Sequence, residues 1–87
     1  MTILELAIKT YGEDLQKQVA IEEMAELTKE ICKDFRGKGD REHIIEEMAD
    51  VAIMFEQLMI MYNISEIELT TVTSNKLIRL EERLREE

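Results

Sequence analysis

The sequence predicts an all-α protein: a single domain over residues 1–87, built as a compact bundle of about four helices and completed by homo-oligomer packing. Three observations carry that expectation. The chain has no proline and only three glycines in 87 residues, so little interrupts a helical hydrogen-bond ladder. Its apolar residues recur at spacings of three and four rather than two. Breaks are signalled at few places, namely Tyr11-Gly12, Gly37-Lys38-Gly39-Asp40 and the stretch from Asn63 to Ser65.

The first helix is short and amphipathic, with Ile3, Leu6 and Ala7 at helical spacing, and loosens near Gly12. Thr10 followed by Glu13 resembles a capping box opening a second helix, which runs to about Arg36. Leu15 and Val19 share one of its stripes; Met24, Ile31 and Phe35 favour another. After the glycine turn, Asp40 is placed to cap a third helix from about Arg41 to Tyr62. Its apolar face is Ile44, Met48, Val51, Phe55, Leu58 and Tyr62. Ile45, Ala52 and Met59 widen that face, and Ile53 and Ile60 lie elsewhere. A helix so apolar around its circumference needs neighbours on several sides, which makes it the expected centre of the bundle. Ser65 and Glu68 form a second capping box, with Ile64 and Leu69 placed as a hydrophobic staple. The fourth helix then carries Leu69, Val72, Leu77, Leu80 and Leu84, and is expected to fray after Leu84. Thr70, Thr71 and Thr73 would also suit a strand over residues 67–73, but the cap and the lack of a partner strand favour helix.

Twenty acidic side chains against eleven Lys and Arg give a net charge of -9. That field repels a nucleic-acid backbone or an anionic membrane and attracts multivalent cations, so no direct nucleic-acid binding is expected. The most apolar stretch, Val51 to Ile64, is too short to span a bilayer and contains Glu56, Gln57 and Asn63. Cys32 has no partner for an internal disulfide and no secretory leader opens the chain, which together point to a reduced, cytoplasmic protein. The six methionines suit core gaps better than a peptide groove.

The sharpest motif is acidic. Glu22-Glu23-Met24-Ala25-Glu26 is echoed by Glu46-Glu47-Met48-Ala49-Asp50. Spacings of three and four put such side chains on one helix face. Glu22, Glu23 and Glu26 share the stripe of Leu15 and Val19, and Glu47 and Asp50 align with Met54 and Met61. The acids therefore interrupt core-facing surfaces. An antiparallel pairing across the glycine turn would bring the two sets together. Clustered carboxylates repel one another, and a hard divalent cation relieves that repulsion. Ordinary ion pairing with Arg41 or Lys29 would also relieve it. Spacing alone leaves solvated acidic faces and a metal site both open. A nitrogen donor suited to iron is missing, because His43, the only histidine, lies outside both clusters.

With these residues in view, the sequence resembles the MazG-like family of all-alpha nucleoside triphosphate pyrophosphohydrolases, related to the dimeric dUTPases. Glu22, Glu23 and Glu26 match the family's first acidic motif, and Glu47 and Asp50 its second. Asn75-Lys76-Leu77-Ile78-Arg79 matches a basic stretch on the last helix. The resemblance covers about residues 16–83. It implies Mg²⁺, with Mn²⁺ as a possible substitute, held by Glu23, Glu26, Glu47 and Asp50. Glu22 would be a further ligand or the group that orients and deprotonates water. Lys76, Arg79 and Asn75 would bind the phosphates of a nucleoside triphosphate, which is cleaved at the α-phosphorus to the monophosphate and pyrophosphate. It also implies self-association as a dimer or tetramer. The chain departs from larger relatives in having Ala25 where they often have glycine, and it has no tryptophan to stack on a base; Tyr11, Phe35 and Tyr62 are the aromatic faces available. The competing reading is a non-catalytic homo-oligomeric helical interaction module with acidic faces.

Overall fold

Three breaks divide the backbone into four helices. A computed structural model describes all 87 residues: α1 (Ile3–Tyr11), α2 (Glu13–Phe35), α3 (Arg41–Met61) and α4 (Glu66–Glu86), with no strand. Residues 67–73 are helical, so their β-branched threonines yield to the cap that precedes them. The expected box at Thr10 and Glu13 does not form, because α1 continues through Thr10 to Tyr11. The complete box lies at the start of α1 instead. There the Glu5 N–H donates to Thr2 Oγ1 at 3.1 Å, and the Thr2 N–H donates to Glu5 Oε1 at 2.8 Å. Those bonds hold the Glu5 carboxyl below its ordinary pKa. Gly12 separates α1 from α2 at φ 89°, ψ 153°, a conformation closed to side chains with a Cβ.

The other two breaks share one hydrogen-bond pattern. At the end of α2, the Gly37 N–H donates to the Asp34 carbonyl and the Lys38 N–H reaches back to Lys33, with Gly37 at φ 76°. At the end of α3, Asn63 (φ 53°) donates to Ile60, and Ile64 to Met59. Both are Schellman endings, which satisfy carbonyls that the last turn leaves without partners. Asp40 then accepts from the Glu42 N–H at 3.0 Å to open α3, and Ser65 accepts from the Glu68 N–H at 3.1 Å to open α4. The end of α4 does not fray after Leu84. It continues to Glu86, secured by Arg85 donating to Glu81 one turn earlier at 2.6 Å.

α2 and α3 form an antiparallel hairpin, and α1 lies against both. Where the two long helices meet, Ala20 and Met54 are buried, and the small Ala20 permits close approach. Gln16 and Gln57 are buried beside them, with Gln16 Nε2 donating to Gln57 Oε1 at 2.8 Å. Lys17 Nζ sits 4.6 Å from the centre of the Tyr62 ring and ties the same end of the hairpin together. α4 behaves differently: none of its Cα atoms comes within 8 Å of another helix. As a result, α3 has neighbours on one side only, and Met48, Ile53, Phe55 and Ile60 stay exposed. No helix is long and apolar enough to cross a membrane.

The glutamine pair gives a direct check of the hairpin register. Replacing Gln57 alone by Leu strands a buried amide and is expected to lower stability by about 1–3 kcal/mol. Replacing Gln16 and Gln57 together by Leu should recover most of that loss. Chemical denaturation of the two variants measures the difference; equal losses for single and double variants would remove the pair from this role.

Candidate metal site

The hairpin register decides where the acids go. Gln16 lies opposite Gln57, and Glu23 and Asp50 stand at matching separations from the same turn, as do Glu26 and Glu47. The outcome is that one carboxylate oxygen from each of Glu23, Glu47 and Asp50 lies within 4.8 Å of the others. Glu23 and Glu47 are half-buried and Asp50 is exposed, so the group is reached by solvent through Asp50.

Its electrostatics are those of an anionic cluster lacking a counter-charge. Partial burial of Glu23 pushes its carboxyl pKa up. The charge and hydrogen-bond contact of Asp50 raise it further, followed by Glu47 and Glu26. Glu47 is pushed up by desolvation first, then by Asp50, Glu26, Glu30 and Glu46. No ion pair of the protein involves Glu23, Glu47 or Asp50, so neither Lys29 nor Arg41 neutralises them.

Of the five acids singled out in the sequence, three converge. Glu26 belongs to the same electrostatic group but lies outside the tight trio, and Glu22 is exposed beside it. Glu30 is the member that sequence reasoning passed over. It is buried, bonded by Lys33 at 3.3 Å, and its charge is felt by Glu47. Its signal was available: Glu23, Glu26 and Glu30 continue one face at spacings of three and four. His43 is away from the cluster, with Nε2 3.9 Å from Asp40 at the start of α3. Among the aromatics, Tyr62 already carries Lys17 against its ring face, while Tyr11 and Phe35 are exposed.

Three carboxylates on two rigid helices, with an open side, suit a hard divalent cation that keeps part of its water shell. Mg²⁺ takes oxygens at about 2.0–2.1 Å in octahedral array, and oxygens already gathered to this degree need only side-chain rotation to meet it. The donor set contains no nitrogen or sulfur, which disfavours softer transition metals.

The basic residues are elsewhere. Asn75, Lys76 and Arg79 are exposed on α4, where Lys76, Arg79 and Arg83 lie side by side along the helix with Glu82 and Glu86. The chain does not bring them to its own acidic cluster, because α4 stays away from α2 and α3.

Carboxyls that hold protons more tightly in the fold than in the unfolded chain favour folding at low pH. That advantage shrinks as pH rises from the ordinary 4.5 through the raised values of Glu23 and Glu47. Without metal, the melting temperature is therefore expected to fall as pH rises above the ordinary carboxylate range, and saturating Mg²⁺ should restore it at the upper end. Asp50→Asn should flatten both responses, whereas Glu5, whose shift has the opposite sign, acts equally in both proteins. Thermal melts across that range with and without Mg²⁺ make the check; identical curves for wild type and Asp50→Asn would show that the cluster has no such linkage.

The chain matches no family model, no curated protein and no solved structure.

Proposed function

We propose that this chain is a Mg²⁺-dependent nucleoside triphosphate pyrophosphohydrolase of MazG-like type, acting in the cytoplasm, with Mn²⁺ able to replace Mg²⁺. The observation that carries the proposal is the meeting of Glu23 with Glu47 and Asp50 across the α2–α3 hairpin. Two acidic motifs far apart in sequence supply a single all-oxygen donor set, and the spacing of those motifs is the one the family resemblance rests on.

In this reading Glu23, Glu47 and Asp50 bind the cation, and Glu26 completes the negative field beside them. A cation held by Glu23, Glu47 and Asp50 would neutralise charge on the triphosphate and polarise the reacting phosphate. Glu22, exposed next to Glu23, takes the proton of the attacking water in this reading. The water oxygen bonds to the α-phosphorus, the bridge from the α- to the β-phosphate breaks, and pyrophosphate departs with the electron pair. Lys76 and Arg79, with Asn75, would balance the charge on the leaving phosphates only where α4 meets the cluster, from which it stands apart within one chain. The half-burial of Glu23 and Glu47 strengthens their interaction with any cation by excluding part of the surrounding water.

The extensive exposed apolar surface favours a second element, self-association, and is also what a purely structural helical module would show. Activity separates the two. A panel of nucleoside triphosphates with Mg²⁺ should yield monophosphate and pyrophosphate in equal amounts. Asp50→Asn and Glu23→Gln should each lower kcat/KM by about 100-fold or more, the equivalent of several kcal/mol of lost charge stabilisation. Neither should lower the melting temperature without metal, since each removes repulsion. Pyrophosphate release that persists in Asp50→Asn at the wild-type rate would sink the proposal.

A further inference from the structure

Three helix ends line one open groove of about 990 Å³: the start of α1, the end of α3 and the start of α4. Each end is held by its own hydrogen bonds. Thr2 and Glu5 form the box at α1, Asn63 and Ile64 bond back to Ile60 and Met59, and Ser65 caps α4. The groove therefore owes its shape to the chain itself. Its floor is Ile3, Leu4, Met59, Ile60 and Ile64. Ile3, Ile60 and Ile64 are 81, 42 and 37% exposed, so this floor meets solvent without cover. A contiguous apolar surface with a polar rim is the form of an interaction site.

The rim is of one sign. Glu56, Glu66 and Glu68 stand on it, no Lys, Arg or His lines it, and none of the three acids is in an ion pair. The positive end of α4 offsets only about half a charge of the three. Glu68 adds a further mark. At α1 the capping box is complete, with Glu5 accepting from the Thr2 N–H. At α4 only half of the box is made: Ser65 accepts from the Glu68 N–H, but the Glu68 carboxylate does not accept from the Ser65 N–H. That N–H donates to no other backbone carbonyl. An apolar floor, three uncompensated carboxylates and a free backbone donor thus share one groove.

We infer that this groove docks a peptide segment of another protein, one that carries apolar side chains flanked by Lys or Arg and leaves a backbone carbonyl free. The apolar side chains fill the isoleucine floor, the cations meet Glu56, Glu66 and Glu68, and the carbonyl accepts from the Ser65 N–H. Charge sets other occupants aside. An anionic membrane meets three carboxylates of its own sign. The chain's own last turns carry four acids against two bases over residues 81–87. A bare cation leaves the apolar floor uncovered. The net charge of -9 also draws a basic segment in from a distance. The inference is independent of the hydrolase reading, because Glu23, Glu47 and Asp50 are not part of the groove.

The probe is a synthetic amphipathic helix of Leu and Lys, whose last turn leaves carbonyls free, set beside the same peptide with Glu for Lys. Each is titrated into the ¹⁵N-labelled full chain at about 0.15 M salt, where charges more than about 8 Å apart are screened. The Leu/Lys peptide should shift the amide signals of Ile3, Ile60, Ile64 and Ser65 most, and the Leu/Glu peptide should shift none of them. Ile60→Ser and Glu68→Lys should each weaken binding about tenfold. Both positions are exposed, and the Ser65 cap uses the Glu68 N–H instead of its side chain, so unchanged melting curves are expected for both. Shifts confined to the α2–α3 acids, or an affinity untouched by Ile60→Ser, would show charge attraction alone and overturn the proposal. So would a dilution series that moves the same four amides without peptide, since a second copy would then already cover the groove.

Discussion

The register between α2 and α3 is the constraint on which the rest of the molecule depends. It is set at one end by the turn, where Gly37 adopts a positive φ and Asp40 restarts the helix. Deep in the pair it is set by the Gln16–Gln57 hydrogen bond, which only one alignment satisfies. A slip of one helical turn would bury an amide without a partner and would also separate Glu23 from Asp50. Burying this polar pair adds less stability than an apolar pair of the same volume could. Its value lies in excluding other alignments, and the meeting of Glu23, Glu47 and Asp50 depends on that exclusion.

The acidic cluster draws on stability instead of adding to it. Glu23 and Glu47 are held in a partly desolvated place among like charges, and their carboxyls respond by gripping protons more tightly. Such an arrangement is a familiar signature of sites that bind or react, because surrounding structure must hold together groups that would separate on their own. Here the holding is done by Ala20 and Met54 packing below and by Lys33 on Glu30. A proton or a cation would relieve the same repulsion at this place, so any cation binding there would be linked to pH.

Much of the fold was legible in the sequence. The four helices, the glycine turn, the Asp40 cap and the Ser65 cap all follow from local chemistry that acts within a few residues. Two local expectations failed for local reasons. Thr10 did not cap, since α1 runs on to Gly12 and Thr2 with Glu5 forms the better box. The C-terminal turn stayed helical through the Arg85–Glu81 pair. In the site, the convergence of Glu23, Glu47 and Asp50 was readable because the two motifs are equidistant from the turn. Glu30 was missed, since one further acid in a charged helix carries no mark of burial until α3 is placed against it. The position of α4 was not readable at all: its leucine periodicity says which face needs cover and nothing about what covers it.

The two outstanding features of the molecule, too little core and too many uncompensated acids, have one physical root. A chain that spends positions along its hairpin seam on Glu23, Glu30 and Glu47, with Glu26 and Asp50 exposed at the edge, cannot also fill those positions with leucine. Its hairpin therefore closes around a thin seam, and apolar residues displaced from that seam, such as Met48, Phe55 and Ile60, remain on the outside. Replacing the acids by apolar residues would relieve repulsion and enlarge the core together, and would remove the cluster of Glu23, Glu47 and Asp50. Retaining them shifts the burden of burial to surfaces beyond the hairpin. α4, apolar on one stripe and basic beside it, carries the chemistry that both the thin seam and the uncompensated acids lack, yet stands apart from them within one chain.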